Sequence, residues 1–319
     1  MPLQEKNSVL DKFSKTFRLS NELSKEMLAE FYGTFILVSF AVAANAQYVF
    51  TDLSSFLTVN FANGVGLTLA IYAAGGVSGA SLNPAASIAL CLHGFVPWYK
   101  YPFYTIAEIA GAFAASAVQY GVNYDMMNAY DGGNRTTYGP TATAGIFSTF
   151  PNPEVSNLNC FFDQVFGTFV LVICIFAILD KRNSMPNDKG LIPLSMGAIV
   201  FAIGTCWAGN CGYAINPARD LGPRLFTAVA GWGLEPFSFR NYGWFWVPIV
   251  GPMVGATLGY FVYQLCIEIH WTPELESTDL VISANGTKEK QSVELVGVDN
   301  IAFISSKGRI NDILRSDII

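Results

Sequence analysis

The chain states one pattern twice. Gly33-Thr34-Phe35 is followed fifty residues later by Asn83-Pro84-Ala85, and Gly167-Thr168-Phe169 is followed forty-nine residues later by Asn216-Pro217-Ala218. A glycine stands four positions before each asparagine, Gly79 in one half and Gly212 in the other. Around these marks lie six mostly apolar stretches, near 27–48, 57–76, 102–124, 160–179, 190–208 and 243–268. Each has the ~20 residues that a helix needs to cross the hydrocarbon of a bilayer. Three crossings fall in each half, so the second half sits upside down relative to the first. The expected fold is therefore an all-α membrane protein, six transmembrane helices plus two re-entrant half-helices in an inverted repeat, with its working centre near the midplane.

Composition agrees. Charged residues make up 13% of the chain, too few to cover a soluble surface, which carries roughly 25%. A net charge of −6 leaves no basic face for phosphates and excludes nucleic acid as a partner. The six cysteines sit mostly inside apolar runs without a pairing pattern and read as small hydrophobes. With two histidines and no nucleophile–base or metal constellation, the expectation is neither an enzyme nor a cofactor-dependent protein.

The first 26 residues form a soluble arm carrying Lys6, Lys12, Lys15, Arg18 and Lys25. Residues 27–268 make the membrane domain, with halves 27–124 and 160–268 joined by 125–159, and residues 269–319 make a flexible tail of mixed charge. If both termini lie inside, fourteen basic residues are inside against Arg135, Arg219, Arg224 and Arg240 outside, as the positive-inside rule requires. The sequon Asn134-Arg135-Thr136 then lies outside as a candidate glycosylation site, whereas Asn285-Gly286-Thr287 lies inside.

The two triplets lie in segments too short to span. Proline suits the first helical position and asparagine the cap before it, so each triplet starts a half-helix whose positive end points at the centre. The glycine-rich stretches before them, Gly75 to Gly79 and Ala208 to Gly212, are expected to run extended and present carbonyls, with Asn83 and Asn216 offering amide donors.

At these residues the chain resembles the major intrinsic proteins, the aquaporins, over 27–268. Asn216-Pro217-Ala218-Arg219-Asp220-Leu221-Gly222-Pro223-Arg224 is similar to the glycerol-conducting branch, where Asp follows the arginine, and Ala230-Gly231-Trp232-Gly233 and Pro248 fit that branch too. The resemblance implies a homotetramer with one pore per subunit. It implies passive flow of water, glycerol and other small uncharged solutes such as urea or hydrogen peroxide, with no cofactor, in a lipid membrane, here the plasma membrane with both termini cytoplasmic.

Counted from the motifs, the family's outer constriction falls on Asn63, Gly204, Tyr213 and Arg219. Asn63 stands where many glycerol channels carry an aromatic, which predicts a more polar, wider wall. Ser81 stands where the family often has histidine. Glu30 matches its bracing glutamate, with Gln164 as the counterpart in the second half. Asp220 and Arg224, four apart, are expected to pair and to hold Arg219 indirectly. Other readings attach to single residues: His93 as a structural or interfacial group, Trp98, Trp232, Trp244 and Trp246 as belt residues, Gly64, Gly66, Gly111 and Gly255 as helix contacts, and Asp317-Ile318-Ile319 as a free terminus. The competing functions are a water channel with little polyol flux and a coupled secondary transporter, for which Glu30, Glu108 and Asp163 are the available acids.

Overall fold

A computed structural model describes residues 8–183 and 190–271, together with the backbone of four short strands in the tail. The Asn285 sequon asparagine, Lys189 and the Asp317-Ile318-Ile319 terminus lie outside the described residues. Through Glu268 the chain is helical: α1 Ser8–Phe17, α2 Glu22–Phe50, α3 Phe56–Ser78, α4 Pro84–His93, α5 Tyr101–Val122, α6 Tyr124–Asp131, α7 Asn157–Leu179, α8 Ile192–Cys211, α9 Pro217–Val229, α10 Glu235–Ser238 and α11 Val247–Cys266.

Local chemistry sets the ends. The Asn21 side chain accepts from the Ser24 amide at 3.0 Å, a capping box joins Ser55 and Thr58, and the Ser156 hydroxyl accepts from Asn159 at 3.1 Å. Gly79, Gly94 and Gly212 close α3, α4 and α8 in the left-handed conformation, which a residue without a Cβ adopts freely. Prolines open α4 and α9, where a missing amide hydrogen costs nothing.

Five helices have both the length and the hydropathy to cross a membrane, α2, α3, α7, α8 and α11. The sixth expected span is α5, 22 residues long and so ~33 Å, but less apolar because it carries Glu108. That carboxyl is fully buried and bonded inside the bundle. A hydropathy average penalises it without seeing its partners.

The two halves interlock. In the first, α2 packs on α3 and α5; in the second, α7 packs on α8 and α11; α3 meets α8 across the centre. Each half-helix also leans on the other half's last long helix, α4 on α11 and α9 on α5. A Cβ on Gly111 would collide with the Phe31 carbonyl, and one on Gly255 with the Val165 carbonyl, so these glycines bring α5 onto α2 and α11 onto α7 in matching ways. Large apolar side chains such as Phe61, Ile106, Phe162 and Phe261 are left exposed, the surface a lipid-facing bundle requires.

Two expectations need correction. Residues 75–78 and 208–211 are helical, forming the last turns of α3 and α8. Glycine weakens a helix without ending it, and the chain leaves the helix only at Gly79 and Gly212, where φ turns positive. Trp232 and Trp244 are not belt residues. They are 3% and 0% exposed, because the connection after α6 folds back and covers them, and the Trp244 indole donates to the Thr149 carbonyl at 2.7 Å. Trp98 and Trp246 do remain exposed. Of the tail, the structure describes strands β1 Ser283–Ala284 and β2 Thr287–Lys288, which pair antiparallel, and β3 Glu294–Val298 and β4 Ile301–Ser305, which do the same. The β-branched and aromatic residues within β3 and β4 favour that pairing.

Replacing Gly111 or Gly255 by valine should lower the apparent unfolding midpoint by ~5 °C or more, from an overpacking cost of about 1–3 kcal/mol. Gly76→Ala, which meets nothing within 4 Å, should leave it no lower, since alanine favours the helix that glycine weakens. Heating the detergent-purified protein and following its monodisperse fraction by size exclusion measures both.

Candidate functional site

The site begins with two short pieces of non-helical backbone, 79–83 and 212–216. They are conformational copies. Gly79, Ala80 and Leu82 have φ of 86°, 53° and 50°, and Gly212, Tyr213 and Ile215 have φ of 80°, 37° and 39°. Left-handed backbone is unfavourable for the non-glycine members, at about 1–3 kcal/mol each. The surroundings supply the compensation. Glu30, fully buried on α2, accepts the Ser81 and Leu82 amides at 3.1 and 2.8 Å. Gln164, fully buried on α7, accepts the Ile215 amide at 3.0 Å. An amide oxygen holds the second loop as a carboxylate oxygen holds the first.

The asparagines join the halves. Asn83 Nδ2 donates to the Ile215 carbonyl at 3.0 Å, and Asn216 Nδ2 donates to the Leu82 carbonyl at 2.7 Å. Each carboxamide oxygen turns back onto its own half-helix, Asn83 to the Ala85 amide at 2.9 Å, Asn216 to Ala218 and Arg219 at 2.9 and 3.1 Å. One of the two hydrogens on each Nδ2 is thereby used, and the other is left toward the space between the tips. Pro84, Ala85, Pro217 and Ala218 are buried and fill the contact.

A single lumen passes these tips. It is lined by Asn83 and Asn216 at the centre, by Asn63, Tyr213 and Arg219 toward one end, and by Leu179 and Ile192 toward the other. Beyond them the opening continues past Ser81, Phe95 and Lys181. One wall is polar, formed by 79–83 and 213–216, and the facing wall is aliphatic, with Leu37, Leu67, Leu171 and Val200 among its residues. Among the described residues, the carbonyls of Gly79, Ala80, Gly212 and Ala214 accept no hydrogen bond from the protein. Arg219 is the one charged side chain lining the central stretch.

Asn63, Gly204 and Tyr213 come together at that end, with Arg219 lining the same lumen. Asn63 Nδ2 donates to the Tyr213 hydroxyl at 2.6 Å. A Cβ on Gly204 would lie 2.6 Å from Tyr213 Cζ and 2.6 Å from Asn60 Oδ1, so the glycine makes room for the tyrosine ring first and widens the lumen only through it. Arg219 Nη1 donates to the Phe147 carbonyl at 2.9 Å, which ties the guanidinium to the connection between the halves.

That connection is itself anchored. Asp220 accepts from Thr149 N and Oγ1 at 2.8 and 2.6 Å and pairs with Arg224 at 2.8 Å, both side chains fully buried. Arg224 also donates to the Thr149 and Pro236 carbonyls and lies over the Phe150 ring. Asn134 is exposed beside Arg135, whose guanidinium pairs with Asp131 and sits among Tyr120, Tyr124 and Trp232.

Glu108 was singled out in the sequence only as an acid available to a transporter, and Asn60, Phe147 and Thr149 were not singled out at all. Glu108 accepts the Asn83 amide and the Ser81 and Ser87 hydroxyls at 3.0, 3.0 and 3.2 Å, a second brace for the first loop; its burial in an apolar span was the available signal. Asn60, Phe147 and Thr149 gave no signal, since each acts through a contact distant in sequence. His93 lies off the lumen, 3.7 Å from Glu268.

A membrane bundle whose inverted halves meet tip to tip beside a lumen that both line has the build of a channel. Comparison with known proteins agrees: the family model for the major intrinsic proteins matches residues 18–263. Human aquaporin-10 is 46% identical over 269 residues, 84% of this chain and 89% of that protein. Human aquaporin-9 is 42% identical over 286 residues, 89% of this chain and 96% of that protein. The crystal structure of the aquaglyceroporin from Plasmodium falciparum superposes with a TM-score of 0.70 at 29% identity, covering 77% of this chain and 97% of that one. The chain belongs to the major intrinsic protein family.

Arg224→Met should destabilise the protein by about 3–5 kcal/mol, because it leaves the Asp220 carboxylate buried without its partner. The double variant Asp220→Asn/Arg224→Met should recover part of that loss. Thermal unfolding of the three proteins in one detergent decides between pairing and simple loss of packing.

Proposed function

We propose that the protein is a passive channel of the surface membrane for glycerol, water and other small uncharged solutes, urea and hydrogen peroxide among them. The observation that carries this reading is the two-faced lumen beside the Asn83–Asn216 tips. A polyol can lay its carbons on the aliphatic wall while its hydroxyls move along carbonyls and the two free amide hydrogens. Each step exchanges hydration for fixed partners, so no step is deeply bound and none is prohibitive.

Arg219, Tyr213, Asn63 and Gly204 form the selectivity filter. The Arg219 charge and the positive ends of α4 and α9 repel cations and protons. Glu30, Gln164, Asp220 and Arg224 hold the loops and the filter in register. Neither Glu30 nor Glu108 lines the lumen, which favours a channel over an ion-coupled transporter. Four subunits associate, each with its own pore, both termini are cytoplasmic, and exposed Asn134 carries the glycan on the outer side.

Liposomes containing the purified protein should swell in an isosmotic glycerol gradient, at rates independent of any ion gradient. Shrinkage in sucrose without glycerol swelling would instead identify a water channel. Arg219→Val should raise proton leak, read with an internal pH dye, by roughly tenfold if its charge contributes about 1.4 kcal/mol to the barrier. Gly204→Phe should displace Tyr213 and reduce glycerol flux far more than water flux. Glycerol flux at the unmodified rate would remove Gly204 from the filter.

A further inference from the structure

Within the N-terminal arm, Ser8–Phe17 form helix α1. Along α1, Val9, Leu10, Phe13 and Phe17 fall within a ~100° arc at 3.6 residues per turn. Lys12, Lys15 and Arg18 occupy the remaining circumference with Asp11. The described part of its apolar side, Phe13 and Phe17, is not packed on the protein. Every residue from Lys12 to Ser20 is exposed, and Phe13 and Phe17, whose rings lie 4.7 Å apart and tilted by 41°, are 61% and 66% exposed.

Position restricts what can cover that face. Only residues 18–21 separate α1 from α2, a reach of ~14 Å at most. With 29 residues, α2 is ~43 Å long, more than the ~30 Å of hydrocarbon it must cross. Its first turns therefore stand at headgroup level, where Glu26 bonds Lys100 at 2.7 Å. The Lys100 ammonium is held above its usual range by that hydrogen bond. So α1 starts within one short tether of a leaflet, with an apolar stripe and a net positive face.

We propose that α1 lies in the membrane surface beside α2, with Phe13 and Phe17 among the upper acyl carbons and Lys12, Lys15 and Arg18 on anionic lipid headgroups. The partner is the bilayer itself. The chemistry is that of an interfacial helix, in which buried apolar area and attraction to acidic lipid add, at about 1 kcal/mol per basic residue near an anionic surface.

Backbone amide exchange of the full-length protein in nanodiscs tests this. The peptide covering 9–18 should exchange at least tenfold more slowly in discs containing phosphatidylserine than in discs of phosphatidylcholine alone. In Phe13→Ser/Phe17→Ser that protection should disappear, while glycerol flux and the exchange of α2 to α11 stay unchanged. Lys12→Glu/Lys15→Glu should abolish the dependence on acidic lipid. Fast exchange in both lipids, or protection that survives Phe13→Ser/Phe17→Ser, would overturn the proposal. Equal protection in both lipids would overturn the assignment to anionic headgroups.

Discussion

The structure depends on a backbone that leaves the helix in the middle of a membrane. Peptide groups there have no bulk water to turn to, and each unsatisfied one costs several kcal/mol. Two five-residue pieces escape this penalty by an internal exchange. The amides of the strained residues go to Glu30 and Gln164, and the carbonyls before each asparagine go to the asparagine of the other half. Neither loop is satisfied within its own repeat. The inverted pairing is therefore a condition of stability as well as of conduction, since separating the halves would orphan both.

Once those groups are satisfied, what remains is selective by omission. The carbonyls with no protein partner and the second hydrogens of Asn83 and Asn216 are the partners left for a permeant. The opposite wall is aliphatic, so water finds hydrogen bonds on one side only. A solute with carbon on one face and hydroxyls on the other matches the whole cross-section. The Arg219 end adds positive charge, held by the Phe147 carbonyl, and the buried Asp220–Arg224 pair holds the connection that supplies it. Charge at the lumen is thus positioned by charge that never meets the lumen.

The repeats are alike in backbone and unlike in chemistry. In the first half two carboxyls, Glu30 and Glu108, surround Ser81 and the Asn83 amide. In the second a neutral Gln164 does the bracing, and its amino group turns to the Cys211 sulfur. Extra acceptors gather on the side away from Arg219, so the local field differs between the two ends of the same pathway.

Much of this was written in the residues themselves. The doubled Asn-Pro-Ala, the glycines four positions before, and the six apolar runs specify the inverted bundle, because each is a local rule: a cap, a first-turn proline, a length matched to a bilayer. Counting from those marks also singled out Asn63, Gly204, Tyr213 and Arg219. What could not be read locally was any contact decided by two distant segments. The tertiary fold alone directs the Asn63 amide to the Tyr213 hydroxyl, gives the space above Gly204 to a ring, buries Trp232 and Trp244 under the connection, and makes Glu108 a brace. Spacing fixes what a residue presents to its own helix, whereas partners across the bundle are chosen only when the helices pack and every buried polar atom must find an opposite number.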